Sequence, residues 1–146
     1  MTNNVVVQIP CLNEESTIGD VVRGFKKKLP KAKVIVYDNN STDNSVKIAK
    51  KYGAEVFLVS KQGKGNVVRR MFEENINANF FIMIDADNTY DIANIKDILK
   101  KMQDENFDMM VAKRIHSDSS AYRTGHVFGN YFFSKFVNLI FGNDIT

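Results

Sequence analysis

The sequence predicts an α/β fold, a mostly parallel sheet with helices on both faces. Short apolar runs alternate with amphipathic stretches from the first residues onward, which implies right-handed crossovers between parallel strands. Polar and acidic residues follow directly after several of the apolar runs, where sheets of this class place their ligands. At 146 residues the chain has the length of one domain closing one hydrophobic core, so residues 1–146 are expected to form a single domain.

Residues 5–9 predict a buried strand. The next segment carries Ile18, Val21, Val22, Phe25 and Leu29 at helical spacing behind Ser16, a candidate cap. A second strand is predicted over 34–37. It leads into a helix over 45–52, opened by the polar cluster 39–43 and stopped by Gly53. A third strand over 56–59 runs through the loop KQGKG at 61–65 into a helix carrying Val67, Val68, Met71 and Phe72. A fourth strand over 80–84 precedes a helix with Ile92, Ile95, Ile98, Leu99 and Met102 on one face, and a fifth strand is predicted over 109–112. Residues 127–141 have helical apolar spacing, but aromatics extend around much of the circumference. They are expected to form a core helix whose other face meets further chain, the functional alternative being a helix on a membrane surface.

Composition excludes several classes. A hydrophobic fraction of 44% and a charged fraction of 25% are those of an ordinary soluble globular protein. The net charge of +3, from 20 Lys and Arg against 17 Asp and Glu, is too small for a dedicated nucleic-acid binder and suits a phosphorylated small molecule equally well. Cys11 is the only cysteine, which rules out an intrachain disulfide or a Cys-rich zinc site and favours a reducing compartment, the cytoplasm. The N-terminus MTNNVVVQIP has no basic flank and reads as a first strand rather than a signal peptide, and no run approaches the roughly 18 apolar residues of a spanning helix. The overlapping triplets beginning at Asn39 and Asn40 match the glycosylation acceptor pattern and are read as incidental.

The residues after the strands converge on one predicted rim. They are Pro10, Asn13, Glu14 and Glu15 after the first; Asp38, Asn39, Ser41 and Asp43 after the second; Asp85, Asp87 and Asn88 after the fourth; and Lys113 and Arg114 after the fifth. Asp85 and Asp87 stand two apart, so in extended chain their carboxylates project together. Such a pair repels itself unless a positive charge lies near, and a hard divalent cation completing its shell with phosphates and water supplies one. A metal-bound diphosphate is the ligand this spacing suggests, with Lys61 and Lys64 adding positive charge. Aspartates in turns after strands are also common for structural reasons, and the triplet alone decides nothing.

IPCLNEESTIGDVV at 9–22, VYDNNSTDNS at 36–45, GKGNVVRR at 63–70 and IDADNTY at 84–90 together resemble, in order and approximate spacing, the inverting family 2 glycosyltransferases of the GT-A fold. Within that group the chain is similar to the branch of dolichyl-phosphate mannosyltransferase and bacterial polyprenyl-phosphate sugar transferases. The resemblance implies a Rossmann-like GT-A domain binding a UDP- or GDP-activated sugar with Mg2+ or Mn2+, and a lipid phosphate or saccharide acceptor. Pro10, Asn13 and Glu14 match the segment bordering base and ribose, Asp38 the acidic residue that recognises the base, and Asp43 a supporting position. Lys64 and Gly65 match the loop that passes the nucleotide. Asp85 and Asp87 match the Asp-x-Asp pair, the second being the usual metal ligand, and Arg114 matches an arginine implied to face the acceptor phosphate.

Each position has a structural competitor: Pro10 as strand terminator, Asn13 and Ser16 as helix caps, Asp43 as cap of the second helix, Lys64 as a solvated charge. His116 and His126 read as structural or exposed. The second loop has Asp38-Asn39-Asn40-Ser41 where the family commonly has Asp-Asp-Gly-Ser, and asparagine's tolerance of left-handed backbone should preserve the turn. By the same resemblance the chain should continue past Thr146 into acceptor-site residues, so the domain is expected to be truncated. A polyprenyl phosphate acceptor needs no general base, whereas a sugar hydroxyl needs a carboxylate for which the chain offers no candidate. Two rivals remain: IDADNT also fits the Asp-x-Asp-x-Thr of haloacid-dehalogenase-like phosphatases, with Asp85 as nucleophile, although that motif normally follows a first strand. The other rival is a fragment that holds nucleotide sugar without turnover.

Overall fold

The computed structural model describes residues 4–74 and 76–112. Strand and helix alternate in the order β1 (Val5–Cys11), α1 (Ile18–Lys28), β2 (Lys33–Asp38), α2 (Ser45–Lys51), β3 (Glu55–Leu58), α3 (Lys64–Glu73), β4 (Phe80–Met83) and α4 (Ile95–Asp104). The strands form one parallel sheet in the order β3-β2-β1-β4, as the alternation predicts.

β1 and β2 are central because their sequences, VVVQIPC and KVIVYD, bury side chains on both faces. Alternate residues of β1 separate to two cores. Val5, Val7, Ile9 and Cys11 join Ile18, Val22 and Phe25 of α1, Ala49 of α2 and Ile95 of α4. Val6 joins Ile35, Tyr37, Val67 and Met71 on the face covered by α3. Each fully buried Val, Ile or Phe contributes about 1.5–3 kcal/mol relative to exposure, so the period-two pattern of the strands and the helical spacing of α1 fix which face each covers. Gln8, the polar residue within β1, is satisfied by donating to the Tyr37 hydroxyl at 3.0 Å and the Met71 carbonyl at 3.3 Å.

Pro10 lies inside β1, paired with Tyr37, and does not terminate the strand. Its missing N–H acts on the other side. The Ile84 N–H donates to the Gln8 carbonyl at 3.2 Å, so the next bond of that ladder would run from residue 10 to the carbonyl of Ile84. Proline has no hydrogen to give, and β4 stops at Met83, opposite Gln8. The chain therefore leaves the sheet just before Asp85.

The stop at Gly53 is confirmed: at φ +87 it follows α2, its N–H donates to the Lys50 carbonyl and that of Ala54 to Ala49, a Schellman closure. Ser16 does not cap α1. The boundary residue is Thr17, whose hydroxyl meets the Glu14 carbonyl at 3.4 Å and carboxylate at 3.2 Å. Ile92 falls before α4, not within it. Residues 109–112 form no strand: Met109 and Val111 are 77% and 76% exposed. An apolar run becomes a strand only where an edge takes up its backbone groups, and these residues pair with none of the described strands. Arg114, Lys113, the two histidines and the predicted helix over 127–141 lie outside the described residues. Among the described residues no helix is long and apolar enough to cross a membrane.

Candidate active site

Sheet register brings the acidic loops to one rim. Asp38 ends β2 beside Cys11 at the end of β1, and β4 ends one strand away on the other side of β1. With neighbouring strands about 4.8 Å apart, the backbones of β2 and β4 are separated there by about 10 Å. Asp38 and the 85–87 segment thus flank β1 at its carboxyl end.

The loops after β1 and β2 are stitched together. Asn13, at φ +56, donates its N–H to the Ser41 hydroxyl at 2.9 Å and accepts from the Thr42 N–H at 2.8 Å. It ties two loops and caps no helix. The Glu14 N–H donates to the Ser45 hydroxyl at 2.7 Å. Asp43 accepts from the Ser45 N–H at 2.9 Å and the Glu15 N–H at 3.0 Å, so it does serve the start of α2. Burial alone would raise its pKa, but the hydrogen bonds from Ser45 and Glu15 outweigh that and hold the carboxyl below its ordinary value.

Asp38 is 2% exposed. One oxygen, Oδ2, accepts from the Ser41 N–H at 3.1 Å, while Oδ1 is buried with no hydrogen-bond partner among the described residues. Leaving a carboxyl oxygen so costs more than a typical hydrogen bond returns, which marks the position for a donor that the described residues do not supply. Beside it, Asn39 is 4% exposed and spans to the loop after β3. Asn40 adopts φ +69, the left-handed turn expected of it.

Across the rim, the Lys64 ammonium lies 2.6 Å from Asp85 Oδ1. The Lys64 side chain is 63% exposed, so it is a solvated charge that also pairs with Asp85. Asp87 Oδ1 accepts from the Thr89 N–H at 3.1 Å and hydroxyl at 2.7 Å, which orients its carboxylate. Gly65 sits in the first turn of α3 with open space around it; the glycine the backbone requires is Gly63, at φ +116. The sequence placed Asn39 on the rim without giving it a role and did not single out Gly63, although a glycine just ahead of a predicted helix is a usable signal. A cavity of about 190 Å³ opens between α1 and the segment after β4, lined among others by Asp20, Gly24, Ile84, Asp85 and Tyr90; Asp38 is not on its wall.

No group of three or more His, Cys, Asp or Glu is gathered for a metal among the described residues. The donors on offer, Asp85 and Asp87, suit a hard cation that takes one or two carboxylates and completes its shell with phosphate and water. Cys11 is no thiolate ligand: burial, aided by the charge of Asp38, outweighs its hydrogen bonds and pushes its pKa up to about 11.

The sequence profile described as Glycosyl transferase family 2 matches residues 6–144. The chain is 40% identical over 124 residues to Protein RfbJ of Shigella flexneri, covering 84% of this chain and 95% of that protein. It is 34% identical over 110 residues to Glycosyltransferase AglJ of Haloferax volcanii, covering 75% of this chain and 36% of AglJ. Among solved structures, glucosyl-3-phosphoglycerate synthase of Mycobacterium tuberculosis superposes with a TM-score of 0.53 at 27% identity, over 59% of this chain and 35% of the synthase. The chain thus spans most of RfbJ but about a third of AglJ and of the synthase. The matched region includes the IDADNT segment, which follows the fourth strand, so the phosphatase reading is not favoured. With its parallel GT-A-like sheet, the chain belongs to glycosyl transferase family 2.

Proposed function

We propose that this chain is a donor-binding domain of a glycosyltransferase that moves a sugar from a UDP- or GDP-activated donor to an acceptor with inversion. The observation that carries this reading is the buried Oδ1 of Asp38, which has no hydrogen-bond partner among the described residues, on the same rim as the Lys64–Asp85 pair and Asp87. Asp38 accepts a hydrogen bond from the base, with Pro10, Asn13 and Glu14 bordering base and ribose. Lys64 shares its charge between Asp85 and the diphosphate, and Asp87, oriented by Thr89, holds the cation. A divalent metal bound there would stabilise the negative charge that builds on the departing diphosphate.

Structures of the mycobacterial synthase in complex with UDP and Mn2+ support a metal-assisted nucleotide site; that synthase superposes here with a TM-score of 0.52 at 26% identity. The acceptor in this reading is a polyprenyl phosphate, already an anion that needs no general base, or else a saccharide. Arg114 serves that acceptor in this reading, and the protein works in the cytoplasm, at the membrane surface where the acceptor is a lipid. Calorimetric titration with UDP and GDP, each with and without Mn2+, tests the proposal. One nucleotide should bind with metal dependence, and Asp87→Ala should weaken it at least tenfold, about 1.4 kcal/mol. Equal, metal-independent affinity for both nucleotides would overturn it.

A further inference from the structure

Asn39 uses its whole side chain on one task. Its Nδ2 donates to the carbonyls of Val59 at 2.8 Å and Lys61 at 2.9 Å, and its Oδ1 accepts the Gly63 N–H at 2.7 Å. The amide orientation is fixed by these partners: two carbonyls accept only from the nitrogen, and an N–H donates only to the oxygen. The backbone joins in, as the Asn39 N–H donates to Cys11 and the Val59 N–H to Asp38. The loop from Val59 to Gly63 is thus hung from the end of β2. Gly63, at φ +116, turns that loop into α3, whose first residue is Lys64, the partner of Asp85.

We infer that Asn39 is a positioning residue for the donor diphosphate, setting through Gly63 where Lys64 stands between the β2 and β4 sides of the rim. This rests on the proposed nucleotide site and adds to it a residue that contacts neither base nor metal. Where the family commonly has aspartate, the amide of Asn39 adds two donors: in this chain's loop an aspartate would keep the acceptor for Gly63 but set a carboxylate against the carbonyls of Val59 and Lys61.

The test is a double-mutant cycle on nucleotide affinity, which isolates coupling between two residues. Asn39→Asp, Lys64→Met and the double variant are titrated with Mn2+ and whichever of UDP or GDP the wild type binds, and with the matching nucleoside. Asn39→Asp should weaken diphosphate binding at least fivefold and nucleoside binding less than twofold. In the Lys64→Met background it should cost less than twofold, because its action runs through Lys64. Multiplying effects, or unchanged diphosphate affinity with only a lowered melting temperature, would overturn the inference while leaving the nucleotide site standing. A wild type that binds neither diphosphate sinks the functional reading and this inference with it. Should Asn39→Asp fail to fold, Asn39→Ser, neutral and too short to reach both carbonyls, is judged by the same criteria.

Discussion

Asn40 shows how a residue choice carries through to a site. A turn that needs left-handed backbone is served by asparagine almost as well as by glycine, and φ +69 at Asn40 brings Ser41 round to donate its N–H to Asp38. That much was legible from residue type. Asn13 was not, because a cap and a loop tie both use a short side-chain acceptor and differ only in which N–H arrives. At Cys11, burial that raises the pKa to about 11 keeps the thiol protonated and enclosed. Iodoacetamide at pH 8 should leave Cys11 unmodified in the folded protein and alkylate it once urea unfolds the chain; rapid modification of native protein would contradict the burial. The sign of the shift adds a second expectation. The folded state holds this proton between about 9 and 11 where the unfolded thiol releases it, so stability falls as pH rises through that window, and Cys11→Ala should reduce the slope.

Elements of this chain are set by a few positions where backbone chemistry overrides pattern. Pro10 reads as a strand end by residue type, yet β1 continues through it because the N–H it lacks would face β4 and not β2. Helix contacts have similar single points. Gly19 of α1 faces α2, where a Cβ would lie 2.8 Å from Tyr52 and 3.0 Å from Ile48. Gly19→Ala should lower stability by about 1–3 kcal/mol through overpacking, read from the urea midpoint at unchanged slope. A neutral result would show that α1 and α2 do not press so closely. The predicted fifth strand failed for a reason periodicity does not see: a four-residue apolar run says nothing about whether the chain carries it alongside an edge such as β3 or β4.

For the whole molecule, alternation of strand and helix was enough to anticipate a parallel sheet, since the crossover rule leaves few other arrangements. The rim was legible too, because the polar residues were read as following strands: Asp38 ends β2, and Asp85 comes two residues after the end of β4. What stayed hidden was long-range hydrogen bonding, such as Asn39 to the loop after β3, which no local pattern encodes. The central proposal is that a nucleotide satisfies the buried Oδ1 of Asp38, which has no hydrogen-bond partner among the described residues. Its most direct test is Asp38→Asn, scored for both melting temperature and nucleotide affinity in the presence of Mn2+. Replacing the buried Oδ1, which has no partner among the described residues, should leave the melting temperature unchanged or raised while affinity falls at least tenfold. A variant that melts lower and binds as tightly as the wild type would contradict the account.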